Sequence, residues 1–385
     1  MGELLQILCG IAAGYWAIRI PVAVLRARGN AWYVTPEDAP PTLEDPPTIS
    51  VCIPARNEEA VIADVIGDVL RQDYPAITEV IVVDDASEDD TAGAIARGAN
   101  GDERVRVLRG SGPPEGWKGK QAAVWRAQGE ATGDWLLFVD ADVRLIPGAV
   151  RVAMHQARSR DAVMLSWLGQ LTTKTFWEHV LMPFIGDLIL LFTKPKWVND
   201  STRDDCLANG QFILIRRDAY DAVGGHEAVK DSVIDDVSLA RTVKFHEPVG
   251  SLKYVLLLSQ GLMSVRMYED LAGIQAGFGK NFFAAAKGNV AAMFFLCVYL
   301  LWMGVLPWVA LPVLVWMGHT AAMSAGLAVV LTLVFRLAMR RFIPHPLWTV
   351  LLHPVSALMT AGIVADSTIR GLGWRAPTQW KGRDV

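Results

Sequence analysis

The sequence predicts an α/β domain set between apolar helices. Three observations predict it. Short β-branched runs alternate with helical periodicity from residue 48 to residue 142, two of those runs end in paired carboxylates, and the most apolar stretches lie towards the two ends of the chain. The α/β domain is expected over 48–285, after an apolar segment at 1–28 and a linker at 29–47. Apolar helices at 290–366 and a basic tail at 367–385 are expected to follow it.

The first element, Leu4 to Leu25, is long enough to span a bilayer but is interrupted by Arg19 and Pro21, and Arg26 and Arg28 follow it directly. It reads as an anchor, because no small-residue cleavage site of the A-x-A kind precedes the domain. A linker rich in proline and acid, Thr35 to Thr48, leads to Ile49–Pro54, a β-branched run stopped by proline and read as a buried strand. Asn57 is expected to cap the next helix, in which Val61, Ile62, Val65, Ile66, Val69 and Leu70 recur at helical spacing. Glu79–Asp85 reads as a second strand, with Ser87 and Asp89 or Asp90 opening a second helix. Val105–Leu108, a helix over Gly119–Gln128 and a strand over Trp135–Asp142 complete the alternation. Both acidic clusters therefore fall at the carboxyl ends of strands, where open α/β sheets bind ligands.

Val180–Phe192 is too short and broken to span, and Lys194, Lys196 and Trp197 follow it, so 180–197 is read as an interfacial segment in competition with a core helix. Residues 291–339 are nearly free of charge and read as two spanning helices divided at Gly318-His319-Thr320. Leu347–Ala365 is apolar too, with His353-Pro354 expected to kink it or make it re-entrant. The positive-inside rule puts Arg26, Arg28 and the Arg336, Arg340, Arg341 group on the cytoplasmic side, and the α/β domain with them. Four full crossings would send Arg370, Arg375, Lys381 and Arg383 to the opposite side, so one apolar segment is expected not to cross.

Composition agrees with a plasma-membrane protein of several passes. Of 385 residues 52% are hydrophobic, too many for a simple soluble enzyme, and the mean hydropathy is +0.28. The net charge of −4, without a sustained basic stripe, argues against a nucleic-acid partner. Cys9, Cys52, Cys206 and Cys297 form no CxxC pair and are read as thiols rather than as a zinc site or disulfide framework.

Three acidic pairs carry the chemistry. Asp140 and Asp142 are two apart at a strand exit, so with Ala141 turned away they can converge on one hard cation, aided by phosphate oxygens. The competing reading is a strand-end turn with solvated acids. Asp84 and Asp85 offer acceptors to a uracil edge or a ribose hydroxyl, in competition with a helix-capping role. Asp235 and Asp236 open an apolar-periodic helix, with Asp236 the candidate general base and a plain helix cap the alternative.

In order, the blocks VCIPARNEE, VVDDASEDDT, GWKGKQAA, FVDADV, ANGQFILIRRDAYDAVGGH and IDDVSLA resemble those of the family-2, GT-A-fold glycosyltransferases. The outlying apolar helices and the closing Trp380-Lys-Gly-Arg383 resemble the bacterial hopene-associated and carotenoid glycosyltransferase branch. The resemblance implies a nucleotide pocket shaped by Pro54, Ala55, Asn57 and Glu58, with Asp85 on the uridine and Lys120 near the base and phosphates. It also implies a UDP-sugar donor, Asp142 helped by Asp140 on Mn2+ or Mg2+ with the diphosphate, and Asp236 as the base. The Gly224-Gly225 turn would present His226 on the acceptor side, unless it is an ordinary helix end.

The chain departs from the processive synthases in having Ser264–Tyr268 and Gly277–Asn281 where their Q-x-x-R-W block belongs. Addition of a single sugar is therefore expected, with Arg266 or Lys280 replacing the missing arginine at the diphosphate or else snorkelling at the interface. A lipid acceptor drawn from the bilayer, such as a hopanoid, carotenoid, sterol-like lipid or glycerolipid, fits a membrane-flanked domain. A short-chain polysaccharide synthase and a non-catalytic membrane scaffold are the competing functions.

Overall fold

The computed structural model describes residues 2–28, 32–248, 250–376, 379–380 and 383–384. Lys381 and Gly382, within the closing motif, lie outside the described residues. The chain divides into two compact units. One comprises Ala31–Thr172 and Thr193–Met267, and the other Met1–Asn30, Thr173–Phe192 and Tyr268–Val385. This differs from the expected single span of 48–285, because 173–192 and 268–285 fall in the second unit.

The first unit is built on strands β1 (Tyr33–Val34), β2 (Ile49–Ala55), β3 (Ile77–Asp85), β4 (Val105–Gly110), β5 (Trp135–Val139), β6 (Val143–Leu145), β7 (Met164–Leu168), β8 (Gln170–Leu171), β9 (Phe212–Arg216), β10 (Tyr254–Ser259) and β11 (Met263–Val265). Eight of them form one sheet in the order β1-β10-β7-β9-β5-β2-β3-β4, and β6, β11 and β8 form a smaller one. Every pairing in the large sheet is parallel except those of β9, which runs antiparallel to both β5 and β7. Central strands covered on both faces must be apolar throughout, and all of Trp135–Val139 is buried. Alternate residues feed two cores. Val51, Ile53, Val80, Val82 and Leu137 pack with the helices Ile62–Leu70 and Ala149–Ser159, while Cys52, Ile81, Val83, Leu136 and Phe138 pack with Gly119–Gly129 and Asp235–Lys244.

Two local expectations are corrected. The strand expected to reach Asp142 stops at Val139, and Asp140–Asp142 form a turn closed by Val143 N donating to Asp140 O at 3.2 Å. Aspartates favour turns over ladders, and the turn lets β6 leave the large sheet. Asn57 does not cap the helix Ile62–Leu70, whose cap position is Val61. Asn57 instead takes a left-handed φ of 53° and accepts from Glu88 N at 2.9 Å, while its own N–H donates to Ser87 Oγ at 3.0 Å. Bridging the neighbouring loop wins over the local cap.

The second unit is helical. Gly2–Val22, Val290–Trp316 and Ala322–Met339 are long and apolar enough to cross a membrane. Their outward residues are apolar as well, with Trp316 and Met323 more than three-quarters exposed, as a lipid-facing surface requires. The division of 291–339 is where it was expected, with Gly318 in the left-handed region at a φ of 60°. Arg19 does not break the first helix, since its Nη2 donates to Leu191 O at 2.6 Å.

Three expectations change in this unit. His353-Pro354 does not kink a helix. The pair begins the helix His353–Gly371, where the missing proline N–H costs nothing. The segment read as interfacial is split. Phe176–Phe192 is a helix with Val180, Leu181, Ile185 and Asp187 buried, whereas Lys194 lies 3.2 Å over the Trp197 ring in the sheet unit. Arg336, counted with the cytoplasmic cluster, is buried and ion-paired with Asp187. A buried, paired arginine carries no positive-inside weight.

Candidate active site at the carboxyl edge of the sheet

The ends of β2, β3 and β5 place three groups of side chains along one edge of the large sheet. At the end of β2, Pro54 and Ala55 lead into Arg56, whose Nη1 donates to the carbonyls of Asp85 and Ala86 at 2.9 and 2.8 Å. Glu58 N donates to Thr91 Oγ1 at 2.8 Å, so the loops after β2 and β3 are tied together by the Asn57, Glu58 and Arg56 contacts. Asp84 accepts from Ser87 N at 3.2 Å and shapes that loop.

Asp85 is buried and has two partners that the sequence did not suggest. Gly112 N donates to its Oδ1 at 3.2 Å and Arg126 Nη1 lies 3.5 Å from the same oxygen. Arg126 Nη2 also donates to Gly112 O at 2.6 Å, so one guanidinium holds both the loop and the carboxylate. A Cβ on Gly110 would fall 2.7 Å from Asp85 Oδ1, which explains why this position has no side chain.

The third group is the densest. Lys120 Nζ lies 2.6 Å from Asp140 Oδ1 and 2.7 Å from Oδ2. Because β9 is antiparallel to β5, its amino end arrives at this edge, and Gln211 O accepts from Asp140 N at 3.3 Å. Gly210 N, just before β9, donates to Asp236 Oδ2 at 2.8 Å, and Val237 N donates to Oδ1 at 2.8 Å. The loop is pinned by Asn209, whose Nδ2 donates to Trp167 O at 2.8 Å and whose N–H donates to Ser166 Oγ at 2.9 Å. Lys120, Asp140, Gly210 and Asp236 thus converge.

Charge and burial set the proton affinities. Burial alone would lower the Lys120 ammonium, but Asp140, Asp235 and Asp236 outweigh it and hold it well above the usual lysine range. Burial, reinforced by Asp235, pushes the Asp236 carboxyl up to about 6, against the pull of Lys120 and the two N–H donors. A carboxylate poised there can accept a proton near neutral pH. His226 does not join the group. It is buried, its Nδ1 is 2.8 Å from Tyr220 OH, and burial pushes it down to about 4, so it is a neutral structural residue. The Gly224-Gly225 turn is a tight helix end in which a Cβ on Gly225 would fall 2.3 Å from the Tyr220 ring.

Arg266 follows β11 in the sheet unit, whereas Lys280 lies on the helix Leu271–Ala285 in the helical unit. For a metal, the Asp140–Asp142 turn offers two oxygen donors, and no group of three or more His, Cys, Asp or Glu suited to a metal occurs among the described residues. That donor set fits a hard cation that completes its shell with water and phosphate oxygens, not a dedicated protein cage.

A mostly parallel sheet with one reversed strand, bearing acidic turns and a lysine on its carboxyl edge, is a GT-A nucleotide-diphospho-sugar domain with helices able to span a membrane in the same chain. Residues 50–224 match the family model for Glycosyl transferase family 2, so the chain carries a domain of that family. The chain is 28% identical over 255 residues to 4,4'-diaponeurosporenoate glycosyltransferase of Staphylococcus aureus strain MRSA252, and it matches the strain USA300 protein to the same degree. The match covers 63% of this chain and spans 62% of the length of that relative. Among solved structures, a mannosyltransferase from Pyrobaculum calidifontis, in complex with GDP-Man and Mn2+, aligns over 97% of this chain and 99% of its own with a TM-score of 0.53 and 16% identity. That likeness concerns the fold.

Proposed function

We propose that this chain is an inverting, non-processive glycosyltransferase that moves one sugar from a nucleotide-diphosphate donor, a UDP-sugar by expectation, to a membrane lipid. The convergence of Lys120, Asp140 and Asp236 at the sheet edge carries the reading. Asp85, with the Pro54–Glu58 loop, receives the nucleoside, and Arg126 fixes the carboxylate for it. Lys120 faces the diphosphate, where its positive charge stabilises the departing group. Asp236 takes the proton of the acceptor as its oxygen attacks the anomeric carbon, and a single displacement of this kind inverts the centre. Gly210 N and Val237 N hold both Asp236 oxygens, so the base is oriented before substrate binds. Asp235 keeps its neighbour's proton affinity high.

Mn2+ or Mg2+ bound by Asp142 and Asp140 would supply Lewis-acid neutralisation of the leaving diphosphate. Arg266, which follows β11 in the sheet unit, adds a further cationic contact to that group. A lipid acceptor is supported by the carotenoid-named relative and by the three apolar helices. The positive-inside rule, applied to Arg26 and Arg28 beside a first helix long and apolar enough to cross, supports a catalytic domain on the cytoplasmic face. Purified full-length protein should hydrolyse UDP-sugars slowly with Mn2+, and Asp142→Asn should abolish this. Hydrolysis that survives the substitution removes the metal assignment.

A further inference from the structure

The helical unit holds a half-open cavity of about 20 Å³ lined by Trp16, Asp187, Arg336, His353, Phe184 and Met303, among others. Six polar atoms of its lining have no hydrogen-bond partner among the described residues: Asp187 Oδ1, Arg336 Nε and Nη2, both His353 ring nitrogens and Trp16 Nε1. All four side chains are more than nine-tenths buried. Aromatic rings surround His353, with Phe184, Trp16 and Trp308 centred 5.3, 6.1 and 6.5 Å away. Those rings offer it no hydrogen-bonding atom within reach. In a helical unit set in lipid, unsatisfied polar groups are costly and are retained where something pairs with them.

The donor and acceptor inventory defines the chemistry. The Asp187–Arg336 ion pair leaves no net charge for an anion to neutralise, and an anion would meet Asp187 Oδ1. A purely accepting group leaves that oxygen unpaired, and a purely donating one leaves the arginine and tryptophan N–H groups unpaired. A neutral hydroxyl donates and accepts at once, and the cavity holds one group of about that size. Gly304 keeps the wall open, since a Cβ there would lie 2.5 Å from Ala357 Cβ and 3.4 Å from His353 Nε2.

We propose that this cavity binds the hydroxyl end of a membrane-dissolved long-chain alcohol, with Asp187 accepting and Arg336 and Trp16 donating. The proposal rests on these helices lying in the bilayer and not on the sugar-transfer reading. Full-length protein in phosphatidylcholine vesicles, without nucleotide sugar, is photolabelled with a diazirine-bearing C16 alcohol and the labelled peptides are mapped. Labelling should be saturable and map to the segments around Trp16, Phe184 and Met303. Hexadecan-1-ol should compete at least about tenfold better than hexadecane or hexadecanoate, as expected of a site built for a hydroxyl. Asp187→Leu with Arg336→Leu should abolish specific labelling while the protein still melts cooperatively, and His353→Phe, which keeps an aromatic ring, should weaken it. Equal competition by hexadecane, labelling unchanged in a folded variant, or no saturable labelling, which is the outcome if water alone fills the cavity, overturns the proposal. Because no donor sugar is used, its failure is distinct from failure of the transferase reading.

Discussion

Asp236→Asn should separate activity from stability. The carboxyl is pushed from its usual 3.8 to about 6, chiefly by burial and then by Asp235. A carboxylate whose folded value is raised is penalised in its charged form, and at 1.36 kcal/mol per pKa unit the penalty at neutral pH is on the order of 1–3 kcal/mol. The sign follows directly. Below pH 4 parent and variant should melt alike, between about pH 4 and 6 the parent should fall progressively behind the neutral asparagine variant, and above 6 the gap should stay constant. Asparagine keeps an oxygen for Gly210 N, so the loop stays tethered. Transfer should nevertheless drop by roughly 10²–10⁴, the usual worth of a general base. Melting temperatures of both proteins from pH 4 to 8, with initial rates at pH 7.5, test this. A variant that melts lower than the parent at pH 7.5, or one that keeps most of its activity, refutes the reasoning.

Other consequences are measurable in the same system. In the parent, kcat/KM should fall as pH drops through about 6, where Asp236 gains its proton. Arg126→Met removes the guanidinium from Asp85 and Gly112 and should raise KM for the nucleotide donor more than it lowers kcat. Gly210→Ala sets a methyl 3.1 Å from Lys120 Nζ and 3.4 Å from Asp236 Cβ, and should cost about tenfold or more in rate with little change in melting. Arg336→Leu alone strands the buried Asp187 and should cost about 3–5 kcal/mol, whereas the paired leucine variant should melt near or above the parent.

What the sequence revealed was local. The runs at Ile49 and Glu79 read as strands because buried parallel strands must be continuously apolar, and Asp140 and Asp142 stood out by their spacing on such a run. What it hid was non-local. Gly210 reaches Asp236 because β9 is reversed beside β5, and nothing in the FILIR run signals direction. Arg126 meets Asp85 across 41 positions and Arg336 meets Asp187 across 149, so one looked like an ordinary helical residue and the other like the charged end of a span. Asn57 was misread for a different reason. Its capping preference was genuine, but the loop after β3 offered it better partners.

The proposed reaction is transfer of one sugar to a lipid at this carboxylate and lysine cluster. Membranes containing the full-length chain, given UDP-[14C]sugar and Mn2+, should move label into an organic-extractable product carrying a single inverted sugar, and Asp236→Asn membranes should not. Label that stays water-soluble, appears in polymer, or reaches lipid equally well with Asp236→Asn contradicts the account.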